Sequence, residues 1–230
     1  MKIGGTMEVK NKLYENQGIH VITSLFTVEQ GIVKVLLIKR KNEPFYGSWV
    51  LTGGALYNNE TLEEGAYREL KEKSGIENVP IKQFKAFGKI DRSPVMRMVA
   101  IGYIGIIDSK RVNIIRESRN TSDAEWFPID KVPKLGFDHN EILNEAIDCL
   151  RKEIVNSNIL KSLFPDEITI PELQKTYEAI LGHKFDRRNF RKKILSLNLL
   201  EDTNKTSKFE GNKPAKLYRF KDKIDEIDIM

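Results

Sequence analysis

Two apolar, β-branched runs near the N-terminus predict a β-hairpin. Residues 20–28 (HVITSLFTV) and 32–40 (IVKVLLIKR) are rich in Val, Ile and Leu, and the short segment between them ends at Gly31. Residues 81–87 and 88–92 are predicted to be extended. Residues 98–107 (MVAIGYIGII) predict a long buried strand, and residues 124–128 (AEWFP) predict a short one. Strands with helices interspersed between them indicate an α/β protein.

A polar loop and a helix follow the glycine pair at residues 53–54. Thr61 and Glu64 have the spacing of a capping box, so a helix is predicted to begin there. Gly75 suits the left-handed residue that ends a helix. The glycine pair, the loop and the helix together span residues 53–76.

Three neighbouring charges on this helix suggest a binding site. Glu69 and Glu72 are three positions apart, so both carboxylates project from one face, and Arg68 adjoins them. Paired carboxylates beside a tight glycine turn can hold a divalent cation against a phosphate, because Mg²⁺ binds a few carboxylate oxygens together with substrate oxygens. The alternative is an ordinary surface helix of alternating charge.

A second amphipathic helix is predicted from Asp138 to about Val155. Asp138 and Glu141 repeat the capping-box spacing at its start. Near residues 156–158 the pattern changes to short helices that follow one another closely, so a domain boundary is predicted there. The apolar stripe of the helix consists of Ile142, Leu143, Ala146, Ile147 and Leu150.

The C-terminal segment predicts a winged helix-turn-helix. Thr169 and Asp186 are suitable N-caps for two helices, and Gly182 ends the first of them. The second helix, RRNFRKKILSLN, is basic on the faces that its apolar residues leave free. Residues 199–203 and 216–220 then predict two strands around a polar loop.

The positive charge of the chain is concentrated in this segment. The 230 residues carry a net charge of +5, and residues 184–219 alone contain 11 Lys and Arg against 4 Asp and Glu. A basic helix in the major groove, with Asn189 on an adenine edge and Arg187 or Arg188 on a guanine edge, is the interpretation we favour. The alternative is a small helical interaction module whose basic face is merely solvated. The predicted DNA-binding residues are Arg187, Arg188, Asn189, Arg191, Lys192, Lys213 and Lys216.

Composition excludes several classes of protein. Apolar residues make up 40% of the chain and charged residues 31%, which is typical of a globular protein. No segment approaches the roughly 18 apolar residues of a transmembrane helix, and the N-terminus is too polar for a signal peptide. We therefore expect a cytoplasmic protein without a membrane partner. The single cysteine, Cys149, excludes an internal disulfide framework and is expected to pack in the core.

The glycine turn and its helix resemble the Nudix signature, G-x5-E-x7-R-E-U-x-E-E-x-G-U, in which U is an aliphatic residue. Gly54, Glu60 and residues 68–76 (RELKEKSGI) match eight of its nine specified positions. The ninth position, the second of two consecutive glutamates, is Lys73 in this chain. The resemblance implies a Nudix-type α/β/α sandwich with a mixed sheet. The departure replaces a carboxylate that gathers the catalytic Mg²⁺ in active members of the family.

A Nudix domain of this kind followed by a winged helix resembles the Nudix-related transcriptional regulators, which include the NrtR-type repressors of NAD metabolism. Residues 172–194 (ELQKTYEAILGHKFDRRNFRKKI) are similar to the C-terminal domain of that family, and residues 137–143 (FDHNEIL) to its last Nudix helix. The resemblance implies an N-terminal tail (1–17), an effector-sensing Nudix-like domain (18–155) and a winged helix-turn-helix domain (156–230). It also implies a homodimer on operator DNA, a small phosphorylated effector such as ADP-ribose or a sugar derivative, and no cofactor.

Lys73 has two possible roles in such a site. The resemblance implies that its ammonium faces the metal position of active Nudix enzymes; the alternative is a side chain that points to solvent. Unit charges 4 Å apart repel by on the order of 4 kcal/mol at an effective dielectric of 20. It can also neutralise Glu69 and Glu72 and leave a metal-free pocket that attracts phosphate. We therefore assign no catalytic residue and no metal ligand. The predicted effector-binding residues are Arg40, Gly53, Gly54, Arg68, Glu69, Glu72, Arg92 and Arg97, of which the arginines could alternatively be structural ion pairs.

Three functions from different classes are consistent with these patterns. The leading hypothesis is an effector-responsive DNA-binding repressor without hydrolase activity. The second is a working Mg²⁺-dependent Nudix hydrolase of ADP-ribose or another nucleoside diphosphate derivative, which would show steady turnover. The third is a non-enzymatic ligand- or RNA-binding protein, which would prefer structured RNA to duplex DNA.

Overall fold

A computed structural model describes residues 17–164, 166–207 and 214–221, arranged as a seven-stranded sheet with flanking helices and a three-stranded sheet with two helices. The predicted tail therefore lies outside the described residues except for Gln17, which begins the first strand. The N-terminal elements are β1 (Gln17–Glu29), β2 (Ile32–Arg40), β3 (Trp49–Val50), β4 (Thr52–Ala55), α1 (Leu62–Ser74), β5 (Ile81–Phe87), β6 (Arg97–Ile106), β7 (Thr121–Pro128) and α2 (His139–Asn156).

Strand β1 is the centre of the mixed sheet. It pairs antiparallel with β2 through residues 26–29 and antiparallel with β4 through residues 20–23, while β6 runs parallel to it along its other edge. Strands β3 and β7 pair with β2, and β5 pairs with β6. The pairing of β4 with the start of β1 brings the two glycines at residues 53–54 beside Val21 and Ile22.

The two faces of the sheet pack against different helices, because successive strand residues point in opposite directions. Phe26 and Leu37 belong to the large apolar cluster that contains α2, whereas Leu25 and Leu36 pack with Leu70 of α1. One helix on each face of a mixed sheet confirms the predicted α/β/α sandwich.

The C-terminal residues form a winged helix-turn-helix, as predicted. Its elements are β8 (Ile168–Thr169), α3 (Ile170–Leu181), α4 (Arg187–Ser196), β9 (Leu200–Thr206) and β10 (Lys216–Phe220). Strand β10 lies between β8 and β9, and β8 was not predicted because two residues are too few to show a periodicity. Thr169 and Glu172 form a complete capping box, and Gly182 ends α3 with φ +77°. The side chain of Asp186 accepts hydrogen bonds from the N–H groups of Arg188 and Asn189 and so caps α4.

Two local predictions about the first domain were wrong. Asp138 is the N-cap residue of α2, but its side chain makes no capping hydrogen bond, because its carboxylate binds Arg92 instead. Residues 88–92, predicted to be extended, form a turn within the loop between β5 and β6. The first of the short helices predicted beyond residues 156–158 is a single 3₁₀ turn, Ile159–Ser162.

The predicted boundary near residue 156 coincides with the end of α2, where Ser157 is the C-cap residue. One apolar cluster nevertheless runs from the mixed sheet through α2 to α3 and α4. The domain limits therefore stay a prediction. Within the described ranges, no helix combines the length and apolar character needed to cross a lipid bilayer.

Candidate functional site

Helix α1 begins and ends as its local sequence dictates. The Thr61 side chain accepts from the N–H of Glu64, whose side chain accepts from the N–H of Thr61, and Gly75 adopts the left-handed conformation with φ +73°. These two signals fix the helix so that Glu69, only 6% exposed, faces the glycine strand β4. A Cβ atom at Gly54 would lie 2.3 Å from Oε1 of Glu69. Glycine at this position is therefore required for the carboxylate to approach the strand.

Arg68 joins the polar loop to α1. Its Nη2 lies 2.6 Å from Oε1 of Glu60, its Nε lies 2.8 Å from Oε2 of the same carboxylate, and its Nη1 lies 2.6 Å from Oε1 of Glu69. The guanidinium also stacks on Tyr57, with Cζ 3.8 Å from the ring centroid. The hydrogen bonds that Arg68 donates to Glu60, followed by the one that it donates to Glu69, raise the pKa of Arg68, and Arg68 in turn lowers the pKa of Glu60. These contacts brace the loop before α1.

Lys73 points inward. Its Nζ lies 2.8 Å from Oε2 of Glu69, and the two side chains are 13% and 8% exposed. This contact is an ion pair and not a hydrogen bond, because Oε2 of Glu69 accepts no hydrogen bond from the described residues. The ammonium of Lys73 instead donates a hydrogen bond to the carbonyl of Gly53. Glu72 is 51% exposed, and its one ion pair within residues 17–164, 166–207 and 214–221 is with Arg68, at 3.6 Å. Lys73 thus neutralises Glu69, as one of its two predicted roles required, but has no contact with Glu72 within the described residues.

The Nudix fold implies a divalent metal, and the side chains present do not fit one. Both oxygens of Glu60 and one of Glu69 bind Arg68, and the other oxygen of Glu69 faces the ammonium of Lys73. A cation brought to Glu69 would meet that ammonium at short range. Among the described residues, no group of three or more His, Cys, Asp and Glu side chains is placed to hold a metal ion.

A small cavity of about 80 Å³ lies beside Lys73, and we name it the inner cavity. It brings together four of the eight predicted effector-binding residues, namely Arg40, Gly53, Gly54 and Arg92, whereas Arg68, Glu69, Glu72 and Arg97 do not line it. Arg97 instead donates from Nη1 to the carbonyl of Lys89, at 2.8 Å. The inner cavity is lined by His20, Ile22, Arg40, Val50, Leu51, Gly53, Gly54, Lys73, Arg92, Ser93, Phe137 and His139.

Both histidines of the inner cavity are neutral near pH 7. Nδ1 of His139 accepts a 3.0 Å hydrogen bond from the N–H of Leu51, which leaves the proton on Nε2. Burial, followed by the charge of Arg92, lowers the pKa of His139 to about 3. Burial and then Arg92 likewise lower the pKa of His20 to about 4. The positive charge of the cavity therefore comes from its arginines and lysine. Sequence reasoning missed His20, since a histidine within a strand pattern gives no sign of what it faces.

Arg92 is the most buried cation of the site. Its side chain is 3% exposed, and its Nε and Nη2 each lie 2.9 Å from one oxygen of Asp138, whose side chain is 13% exposed. This bidentate pair fixes the guanidinium plane. The remaining N–H groups of Arg92 have no hydrogen-bond partner among the described residues, so one edge of the guanidinium is free beside the cavity. Arg40 contributes a second cation, held by a 2.9 Å hydrogen bond from Nε to the carbonyl of Pro44.

A second candidate site is the exposed surface of α4. Phe190 and Ile194 are buried, so Arg188 and Lys192, four positions apart, lie on the opposite face of the helix. Neither of them, nor Arg187, forms an ion pair with any other described residue. The basic side chains and the amide exposed on this helix are Arg187, Arg188, Asn189, Arg191, Lys192 and Lys193, of which Lys193 was not predicted.

The wing differs in part from the prediction. Nη2 of Arg191 donates a 3.1 Å hydrogen bond to the hydroxyl of Tyr218 in β10, so α4 and the wing are directly connected. Lys216 is exposed but pairs with Asp202 at 2.7 Å, which leaves it less available to a phosphate than a free lysine. Lys213 lies outside the described residues.

Two family profiles cover most of the chain. Residues 19–146 match the NUDIX domain, and residues 160–220 match the NrtR DNA-binding winged helix domain. The chain is also 33% identical over 211 residues to the ADPR responsive transcriptional repressor NtrR of Acinetobacter baylyi, an alignment that covers 90% of this chain and 83% of the relative. The chain belongs to the NrtR family of Nudix-related transcriptional regulators.

Solved structures of NrtR proteins agree with this membership. The structure of Shewanella oneidensis NrtR complexed with a 27mer DNA superposes with a TM-score of 0.73 at 29% identity and covers 88% of this chain and 93% of that one. The NUDIX domain of the same protein complexed with ADP ribose superposes with a TM-score of 0.57 at 29% identity, over 62% of this chain and 94% of that one. The NrtR likeness therefore extends over both domains.

Proposed function

We propose that this protein is a transcriptional repressor that binds operator DNA through its winged helix and releases it when ADP-ribose binds to the Nudix domain. The observation that carries the proposal is the inner cavity, in which Arg40, Lys73 and Arg92 converge beside the two glycines. The relatives named above are an ADPR responsive repressor and an NrtR domain complexed with ADP ribose.

The diphosphate of the effector is the group that this cavity suits. Arg92 offers a free guanidinium edge held in place by Asp138, and guanidinium binds phosphate oxygens through two parallel hydrogen bonds. The neutral histidines add a donor without adding charge that would titrate near pH 7. Gly53 and Gly54 form part of the wall of the same cavity.

We propose further that the Nudix domain does not hydrolyse its ligand. Lys73 supplies inside the protein the positive charge that a metal would otherwise bring to Glu69. In this role it stabilises the carboxylate and attracts phosphate, but it cannot generate a nucleophilic hydroxide as a bound metal does. Binding is then independent of Mg²⁺.

The proposed operator complex contains two copies of the chain in the cytoplasm. A helix-turn-helix dimer reads two half-sites separated by about one helical turn of DNA, roughly 34 Å. Arg188 and Lys192 on the outward face of α4 are the side chains best placed to reach base edges and phosphates. Arg187 and Asn189 flank them on the same exposed surface.

The proposal is tested by isothermal titration calorimetry of the full-length protein with ADP-ribose in the presence of EDTA. We expect saturable binding of one ligand per chain. The same mixture, incubated with Mg²⁺ and analysed by chromatography, should contain no AMP. Steady release of AMP would support the hydrolase alternative, and absence of binding would refute the effector assignment.

A further inference from the structure

A second cavity adjoins the inner cavity and has the opposite electrostatic character. Its volume is about 350 Å³, and we name it the outer cavity. Arg92 and Phe137 line both cavities, so the two share a wall. The outer cavity is lined by Phe45, Lys89, Asp91, Arg92, Pro94, Phe137, Asp138 and Glu141.

Aromatic and apolar side chains form one side of the outer cavity. The rings of Phe45 and Phe137 are 4.5 Å apart between centroids, and Phe45 is 41% exposed. Pro94 lies in the same lining. An exposed ring held by a second ring offers a rigid apolar face, which suits the C–H face of a sugar.

Carboxylates form the polar part of the outer cavity. Asp138 is neutralised by Arg92, and Glu141 of α2 pairs with Lys89 of the β5–β6 loop. Asp91 makes no hydrogen bond or ion pair with any described residue. The rim therefore keeps an excess of negative charge and offers acceptors for hydroxyl groups.

Arg92 lies at the boundary between the two cavities. Two of its nitrogens donate to Asp138, and its remaining N–H groups are free to donate to a ligand. Its side chain is only 3% exposed. A phosphate bound to that edge lies between the cationic inner cavity and the acidic outer cavity. The group attached to the phosphate on the outer side then meets carboxylates.

We propose that the outer cavity is a subsite for an uncharged polyhydroxylated group linked to a phosphate, and that Asp91 and Glu141 exclude ligands with a further anionic group at that place. The inference rests on the proposed function and specifies it: the terminal ribose of ADP-ribose occupies the outer cavity. The carboxylates accept hydrogen bonds from the ribose hydroxyls and repel a phosphate. Asp91 and Glu141 are thus the residues that determine effector specificity.

ATP provides the test, because its third phosphate takes the place of the terminal ribose, while ADP carries neither group. Calorimetry in EDTA on the full-length protein measures the dissociation constants of ADP-ribose, ADP and ATP. We expect the wild type to bind ADP-ribose more tightly than ADP, and ADP more tightly than ATP. A carboxylate and a phosphate in contact in water repel by about 1 kcal/mol, which lowers the affinity about fivefold. The reduction is larger when the two charges are partly buried.

Removal of the rim charge should change the affinities for the two ligands in opposite directions. Asp91→Asn and Glu141→Gln are each expected to weaken the binding of ADP-ribose and to strengthen the binding of ATP, so that the ratio of the two dissociation constants decreases about tenfold. Loss of the fold alone would weaken the binding of both ligands. Asp130→Asn, which removes an exposed carboxylate outside both cavities, is the matched control and should leave the ratio unchanged.

Two results would overturn the inference. If both rim variants keep the wild-type ratio while the wild type binds ADP-ribose, the ribose lies elsewhere and only the subsite is wrong. If the wild type binds neither ADP-ribose nor ADP, the proposed function fails and the subsite fails with it.

Discussion

The hydroxyl of Tyr177 in α3 donates a 2.7 Å hydrogen bond to the carbonyl of Ile154 in the last turn of α2. Nε of Arg151 adds a second bond between the same helices, at 3.2 Å from the carbonyl of Ile180. At the opposite end of α2, Asp138 binds Arg92 of the inner cavity. Because α2 is a single helix of 18 residues, about 27 Å long, it connects the pocket to the DNA-binding domain directly.

Loss of the Tyr177 hydroxyl should weaken that connection. The Tyr177→Phe variant leaves the Ile154 carbonyl buried without this donor, so we expect the free energy of unfolding to fall by about 1–2 kcal/mol. We also expect ADP-ribose to change the DNA affinity of the variant less than that of the wild type. Thermal denaturation and DNA titrations with and without ADP-ribose measure the two effects. Tyr46→Phe, at a residue 68% exposed, is the control, and an unchanged response to ADP-ribose in Tyr177→Phe would show that the signal takes another route.

The charge of Lys73 should decide whether the pocket accepts a metal. In Lys73→Glu the ammonium beside Glu69 is replaced by a third carboxylate, so we expect Mg²⁺ to bind and to raise the melting temperature by a few degrees. The wild type should show no such rise. Lys71→Glu changes a lysine on the same helix whose side chain is 62% exposed, and it should behave like the wild type. An equal Mg²⁺-dependent rise in the wild type would contradict the role given to Lys73.

The buried histidines should make the fold sensitive to acid. His139 and His20 titrate near pH 3 and 4 in the folded protein but near 6.5 when unfolded, so between about pH 5 and 6.5 the unfolded chain binds more protons. The free energy of unfolding should therefore decrease as the pH falls through this range, by up to about 1.4 kcal/mol per pH unit for each residue.

A variant isolates the contribution of His139. His139→Asn keeps an acceptor for the N–H of Leu51 without a titrating group, so its stability should vary less with pH than that of the wild type. Urea titrations at pH 5.0, 5.5, 6.0 and 6.5 compare the slopes. His183→Asn, at an exposed histidine, should retain the wild-type slope. Equal slopes for all three proteins would show that His139 does not change its proton affinity on folding.

The outward face of α4 should determine the salt dependence of DNA binding. Arg188→Ala and Lys192→Ala should each reduce the slope of log affinity against log salt by about 1 if the residue contacts a phosphate. If Arg188 instead binds a guanine, its variant should lose preference for the operator over a scrambled duplex. Lys110→Ala, at an exposed lysine of the Nudix domain, should change neither quantity. Wild-type slopes and preferences in both α4 variants would exclude this face as the DNA contact.

Local signals in the sequence predicted the elements well. The predicted capping box at Thr61 and the predicted N-cap at Thr169 both formed, because every partner they need lies within three residues. The same spacing at Asp138 failed because Arg92, 46 residues away, is a stronger partner for the carboxylate than a backbone N–H. A local rule does not show which distant charge the fold brings to a cap residue.

The pocket was predictable only in part for the same reason. Gly53, Gly54 and the box helix lie on one continuous segment, so their proximity follows from the signature. His20 joins them because β1 pairs with β4. Phe45, which has a left-handed backbone and follows the cis Glu43–Pro44 bond, itself lines the outer cavity. Arg92 lines both cavities because of the conformation of the β5–β6 loop. That loop has no periodic pattern of apolar residues, so the sequence does not indicate this position.

The most direct test of the account is a fluorescence anisotropy titration of the full-length protein against a labelled duplex from the region upstream of its gene. The titration is run in EDTA with and without ADP-ribose. The account predicts binding that is specific relative to a scrambled duplex and at least tenfold weaker with saturating ADP-ribose, a coupling of about 1.4 kcal/mol. Equal affinity with and without ADP-ribose, or equal affinity for the two duplexes, would contradict it.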